Sequence, residues 1–269
     1  MHLKRWITGI IAVPIIFAII NYGGKALISL LIWGAGLIGV YEYLTFTFKP
    51  CHHLAKRWFS GLTYVSASLI ILSAYFSNID YLLTIITGNF VICGLMGVIL
   101  FKYEPAATDM IPRQLMGVVY IPTSLSFLIL IYNTPHGISW IFYILCLVAL
   151  GDTVALYVGS YFGKHKLWPA ASPKKTIEGA VGGICGSIAI GLIFKVLFLN
   201  TLSVADALVF SILVGMAGQA GDLFESILKR SAGIKDSGTI LPGHGGMLDR
   251  IDALLFATPL AYFLLGHIL

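Results

Sequence analysis

Nine apolar runs follow one another along this chain, at about residues 6–22, 26–48, 58–76, 81–101, 115–132, 138–162, 180–199, 205–228 and 251–268. Each is close to the roughly 20 residues that carry a helix across the hydrocarbon core of a bilayer. Only 11% of the 269 residues are charged and 58% are hydrophobic. A soluble domain carries about 25% charged residues. A chain this depleted has too few polar groups to cover a globular surface, so lipid is its main solvent. Helices are the economical way through lipid, because each satisfies its own backbone polar groups. A membrane β-barrel would show alternating segments of about ten residues, and none is present. The expected fold is an all-α polytopic integral membrane protein with about nine transmembrane helices.

The connecting segments alternate in charge. Lys4 and Arg5, then Lys49, Lys56 and Arg57, then Lys102 and Arg113 fall on one side. So do Lys164, Lys166, Lys174 and Lys175, and Lys229, Arg230, Lys235 and Arg250. The other side has Lys25 and, at a helix end, Lys195. Lys and Arg accumulate on the cytoplasmic side, which sets the N-terminus inside and the C-terminus outside. The net charge of +5 follows from this bias and calls for no nucleic-acid partner. The basic start and first apolar run resemble a signal peptide, but no small-residue cleavage pattern closes the run, so an uncleaved first helix is expected. Cys51, Cys93, Cys146 and Cys185 are widely spaced and imply no disulfide.

Acidic residues are unevenly spread. Residues 1–135 hold Glu42, Asp80, Glu104 and Asp109, and read as a lipid-facing scaffold. Residues 136–269 hold Asp152, Glu178, Asp206, Asp222, Glu225, Asp236, Asp249 and Asp252, and read as the catalytic region. Carboxylates inside spans are costly and usually functional or paired. Asp152 lies within the sixth run. Asp222 and Glu225 share a helix face by their three-residue spacing, and Asp249 with Asp252 repeats it. Carboxylate oxygens suit Mg²⁺, which bridges one or two carboxylates to substrate phosphates. Asp222, Asp249, Glu225 and Asp252 are therefore the candidate metal ligands. For Glu225 and Asp252 the alternative is neutralisation of Lys229, Arg230 and Arg250, or helix capping.

Two polar stretches stand beside these acids. Ser172, Lys174, Lys175, Thr176 and Glu178 lead into the seventh span, where paired lysines and a helix N-terminus favour an anion. An ordinary basic loop is the alternative, and no Walker phosphate loop is present. Residues 226–252, SILKRSAGIKDSGTILPGHGGMLDRID, concentrate Lys229, Arg230, Lys235, Asp236, His244, Asp249, Arg250 and Asp252 in a chain that otherwise avoids charge. His244 sits among glycines that permit close approach to a ligand. It suits proton transfer, phosphate binding or a purely structural turn. His165 and His136 read as solvent-facing loop histidines.

That stretch resembles the diagnostic motif of the phosphatidate cytidylyltransferase (CDP-diacylglycerol synthase) family. The upstream GDTVALYVGSYFGKHKL and SPKKTIEG segments are similar to it too, so the likeness covers about residue 151 to the end. It implies transfer of the cytidylyl group of CTP to phosphatidate, giving CDP-diacylglycerol and pyrophosphate. It also implies Mg²⁺, a second ion that would be K⁺, a homodimer, and a multi-pass place in the bacterial inner membrane. Asp222 and Asp249 match its metal-binding acids, and Lys174 and Lys175 its basic loop. Lys229, Arg230, Lys235, Asp236, His244, Arg250 and Asp252 match its main motif. Asp152 is expected near the substrate. A transporter would carry acids at mid-bilayer, whereas most of these lie near span ends. A CTP-using enzyme acting on an ether lipid or a polyprenol stays open.

Overall fold

The computed structural model describes residues 13–48, 53–240 and 245–268. Its helices are α1 (Val13–Tyr22), α2 (Gly24–Thr47), α3 (His53–Tyr75), α4 (Ile79–Phe101), α5 (Met110–Val118), α6 (Ser124–Tyr132), α7 (Gly137–Phe162), α8 (Ile177–Leu197), α9 (Val204–Ser231) and α10 (Leu248–Ile268). A 3-10 turn (Pro105–Asp109) precedes α5, and a π-turn (Val119–Thr123) joins α5 to α6. Two short strands, β1 (Lys166–Trp168) and β2 (Ser172–Thr176), lie between α7 and α8. Among the described residues, eight helical stretches are long and apolar enough to cross a membrane, with Pro105–Tyr132 counted as one. The chain is thus an all-α polytopic membrane protein, apart from one small hairpin that the apolar pattern did not announce. The expected first span lies partly outside the described residues, and its described part is α1. Large apolar side chains such as Phe90, Val98, Leu156 and Val196 stand exposed, as lipid-facing helices require.

Two compact units divide the chain. The first comprises residues 1–130 and 236–250, the second residues 131–235 and 251–269. In the first unit, buried polar groups pair across helices. Ser66 Oγ donates to Asn89 Oδ1 at 2.8 Å, and Gln114 Nε2 donates to the same oxygen at 2.9 Å. These bonds tie α3, α4 and α5 where water is absent. Pro122 sits inside the π-turn and lacks an N–H. Thr123 Oγ1 donates to Val118 O at 2.9 Å instead, supplying the carbonyl that the proline leaves without its usual donor. Arg113 Nη1 reaches Thr47 O at 2.6 Å, placing a cation on the last carbonyls of α2.

In the second unit, small residues bring helices close. A Cβ on Gly179 would meet Ala155 O at 2.7 Å and Gly159 Cα at 3.1 Å, and a Cβ on Gly182 would meet Val158 at 2.7 Å. Ser187 of α8 fills the space beside both Gly151 of α7 and Gly215 of α9. Helices associate in lipid through such close backbone packing, because apolar burial gives little preference there. Gln219 Nε2 adds a bond to Ala180 O at 3.0 Å. Away from the hairpin, Trp140, Tyr143, Phe194 and Phe210 stack into an aromatic cluster. The same close packing holds α7, α8 and α9 in the register that positions their polar ends.

Candidate active site

In the second unit the polar residues gather around the hairpin. β1 and β2 pair antiparallel, with Lys166 opposite Thr176 and Trp168 opposite Ser172. Thr176 then caps α8: its Oγ1 accepts Gly179 N–H at 3.1 Å, satisfying one of the helix's orphan donors. Side chains alternate along a strand, so Lys174 and Lys175 face opposite ways. Lys174 is exposed. Lys175 turns toward α9, and its Nζ lies 2.6 Å from Asp222 Oδ2.

Asp222 is not the only acid there. Its charge acts on Asp152 of α7 and on Asp252 of α10, and Asp152 acts on Asp252 as well. Lys175 offsets Asp152, and Lys229 offsets Asp252. Three helices thus bring carboxylates within mutual repulsion. Glu225 is fully buried and forms an ion pair with Lys229 one turn on. Lys229 is therefore shared between that pair and the acidic group. Arg230 donates to Ala171 O at the hairpin turn and to Ile234 O, at 3.4 and 3.3 Å.

Glu178 sits at the base of the hairpin. Its carboxylate accepts Lys164 N–H at 3.1 Å, His165 N–H at 3.2 Å and His165 Nδ1 at 2.6 Å. It clamps the segment between α7 and β1, and it makes His165 a paired residue rather than a lone one. Ile177 N–H donates to His165 O at 2.9 Å, closing the base of the hairpin. A carboxylate spent on these donors holds the frame of the basic loop.

In the first unit, Asp249 lies in the first turn of α10. Its Oδ2 accepts Ser237 N–H and Ser237 Oγ–H, each at 3.0 Å, and Gly246 N–H at 2.8 Å. Gly245 has φ +82°, and a Cβ there would meet Asp249 Oδ2 at 2.7 Å. Gly245 and Gly246 therefore serve close approach to carboxylates, of Asp249 and Glu42 respectively. Asp236 and Arg250 are exposed in this unit, as Lys235 is in the second. His244 lies outside the described residues.

Sequence reasoning passed over Glu42. It is 2% exposed on α2 and accepts hydrogen bonds from Ser237 Oγ, Met247 N and Leu248 N at 3.0, 2.9 and 2.8 Å. The signal was available: a single carboxylate within an apolar run calls for partners.

Oxygen-only donors suit a hard divalent ion. Asp152, Asp222 and Asp252 are donors of that kind, so the donor chemistry fits Mg²⁺. Among the described residues, no three His, Cys, Asp or Glu side chains are drawn close enough to hold one ion.

Known proteins resemble this chain over its length. The model of the cytidylyltransferase family matches residues 3–268. A phosphatidate cytidylyltransferase of Bacillus subtilis is 32% identical over 264 residues, covering 98% of this chain and 97% of the relative. One of Staphylococcus saprophyticus is 42% identical over 154 residues, 57% of this chain and 58% of the relative. One of Staphylococcus epidermidis is 44% identical over 151 residues, covering 56% and 57%.

Proposed function

This chain belongs to the cytidylyltransferase family, and on that premise we propose that it moves the cytidylyl group of CTP onto phosphatidate at the cytoplasmic face of a membrane. The observation that carries the proposal is the Lys175–Asp222 pair set among Asp152 and Asp252, beside a capped helix start. An oxygen of the lipid phosphate attacks the α-phosphorus of CTP. The bond from that phosphorus to the bridging oxygen breaks, and pyrophosphate leaves with the electron pair. CDP-diacylglycerol remains in the bilayer.

Both reactants are anions, so charge repulsion and alignment dominate the barrier. Fixed cations and helix N-termini lower both. Lys175, held beside Asp222, and the exposed Lys174 offset phosphate charge from the two sides of the strand, next to the first-turn N–H groups of α8. Ser172 and Thr176 keep the strand in place, and Glu178 holds its base. Lys229, Arg230, Lys235 and Arg250 supply further positive charge, and Asp236 and His244 complete the motif. No protein nucleophile is required, since the lipid phosphate is already ionised near neutral pH. Bound Mg²⁺ would supply charge neutralisation at the nucleotide phosphates; the motif likeness assigns it to Asp222 and Asp249, and the helix spacing adds Asp252 and Glu225 as candidates. K⁺ as a second ion, a homodimer and the bacterial inner membrane belong to the same proposal.

The test uses CTP labelled at the α-phosphate, phosphatidate, Mg²⁺ and the purified protein in lipid. Label entering the lipid fraction only with all components present supports the proposal. Folded protein that labels a polyprenyl phosphate or an ether lipid but never phosphatidate would overturn the acceptor.

A further inference from the structure

Glu42 carries an ionisable group inside an apolar helix and is 2% exposed. A carboxylate in such a place is costly unless donors surround it. Here Ser237 Oγ–H reaches Oε2 at 3.0 Å, Met247 N–H reaches Oε1 at 2.9 Å, and Leu248 N–H reaches Oε2 at 2.8 Å. Leu248 is the first residue of α10, and Met247 precedes it. Their amides are orphan donors at the positive end of a helix dipole. Glu42 therefore caps α10 from a helix 205 positions away from Met247 in sequence.

The cap extends to the motif acid. Ser237 Oγ lies 3.0 Å from Glu42 Oε2 and 3.0 Å from Asp249 Oδ2. One hydroxyl proton serves two carboxylates, so the placement of either depends on the other. The loop is shaped around this arrangement. A Cβ on Gly238 would strike Glu42, and a Cβ on Gly246 would strike both Ser237 Oγ and Glu42. A buried anchor of the helix alone would need only the two amides. The bridge through Ser237 to Asp249 makes this contact more than a helix cap.

We infer that Glu42 is a positioning residue for cytidylyl transfer, fixing the start of α10 and, through Ser237, the orientation of the Asp249 carboxylate. This rests on the function proposed above and on Asp249 taking part in it. Misplacing a group at the reacting centre by about 1 Å costs roughly 100-fold. Loss of the partners that orient a metal-binding carboxylate costs about 10- to 100-fold.

The experiment compares full-length wild type with Glu42→Gln, Glu42→Asp and Ser237→Ala in lipid. Folded sites are counted by the stoichiometry of a non-hydrolysable CTP analogue, and kcat is expressed per site. Glu42→Gln and Glu42→Asp are expected to lower kcat per site about 10- to 100-fold while leaving KM for CTP unchanged. Glu42→Asp keeps the charge but is one methylene too short for the helix amides, so it does not rescue. Ser237→Ala keeps the helix cap and loses the bridge, so it lowers kcat by a smaller factor. Hydrogen exchange at Met247 and Leu248 accelerates in both Glu42 variants and stays slow in Ser237→Ala.

A merely structural Glu42 would lower the number of sites and leave kcat per site at the wild-type value, and that result overturns the inference. Should a Glu42 variant yield no folded sites, Ser237→Ala decides alone: unchanged kcat per site overturns the bridge. Wild type that transfers nothing from CTP to phosphatidate sinks the proposed function instead. The exchange pattern would still report the cap.

Discussion

Lys175 Nζ lies 2.6 Å from Asp222 Oδ2, joining the strand before α8 to the inner face of α9. Both side chains are about three-tenths exposed, at 28% and 29%. A pair this open contributes about 0–1 kcal/mol to folding. Its value lies in where it puts a cation: among Asp222, Asp152 and Asp252, next to an N-capped helix. Stability and chemistry should therefore separate at Lys175.

Lys175→Met is expected to unfold like wild type, within about 1 kcal/mol. Its kcat should fall about 100- to 1,000-fold, the scale for losing a fixed group that stabilises developing charge. Lys175→Arg should fall between the two. Steady-state kinetics with a thermal unfolding series checks this, and wild-type turnover in Lys175→Met would remove the residue from the chemistry.

The buried pair on α9 predicts the opposite separation. Glu225 is 0% exposed and Lys229 12%. Removing one member of a buried pair leaves an uncompensated charge and costs about 3–5 kcal/mol. Lys229→Met should therefore lower the unfolding midpoint sharply. Glu225→Leu combined with Lys229→Met should recover most of it, because apolar replacements of similar volume are often neutral. Unfolding in detergent would show this ordering. A double variant as unstable as Lys229→Met alone would refute it.

The helical class and the positions of the spans were legible because lipid leaves the backbone little choice. The SPKK segment was legible only as the approach to a helix, which begins at Ile177 behind the Thr176 cap; that the segment itself is a strand was not. Three things were not. The hairpin escaped because three- and five-residue strands leave no periodicity. A lone carboxylate in an apolar run signalled that Glu42 has partners, but which ones escaped, because they lie 195 to 206 positions away. The Glu178–His165 clamp escaped because a glutamate beside two lysines looks like part of the charged loop.

That clamp gives a third prediction. Glu178 holds two backbone amides and the His165 ring. Glu178→Ala removes all of these bonds, whereas His165→Ala removes only the ring contact. KM for CTP should therefore rise more in Glu178→Ala than in His165→Ala, as the basic strand loses its fixed base. A larger effect in His165→Ala would mean that the ring itself meets the substrate.

Glycine packing gives the last prediction. A Cβ on Gly179 would lie 2.7 Å from Ala155 O and 3.1 Å from Gly159 Cα, both backbone atoms that no rotamer change can move. Gly179→Ala should therefore push α7 and α8 apart, with a loss of about 1–3 kcal/mol, the usual penalty of overpacking. Gly94 offers the control, since nothing lies within 4 Å of its Cβ position. Gly94→Ala should be neutral or gain about 0.4–1 kcal/mol through the unfolded chain. The displaced helix also carries Thr176 and the capped turn beside Lys175, so Gly179→Ala should lose turnover along with stability. Equal unfolding midpoints for the two variants would mean that α7 and α8 do not approach through Gly159 and Gly179.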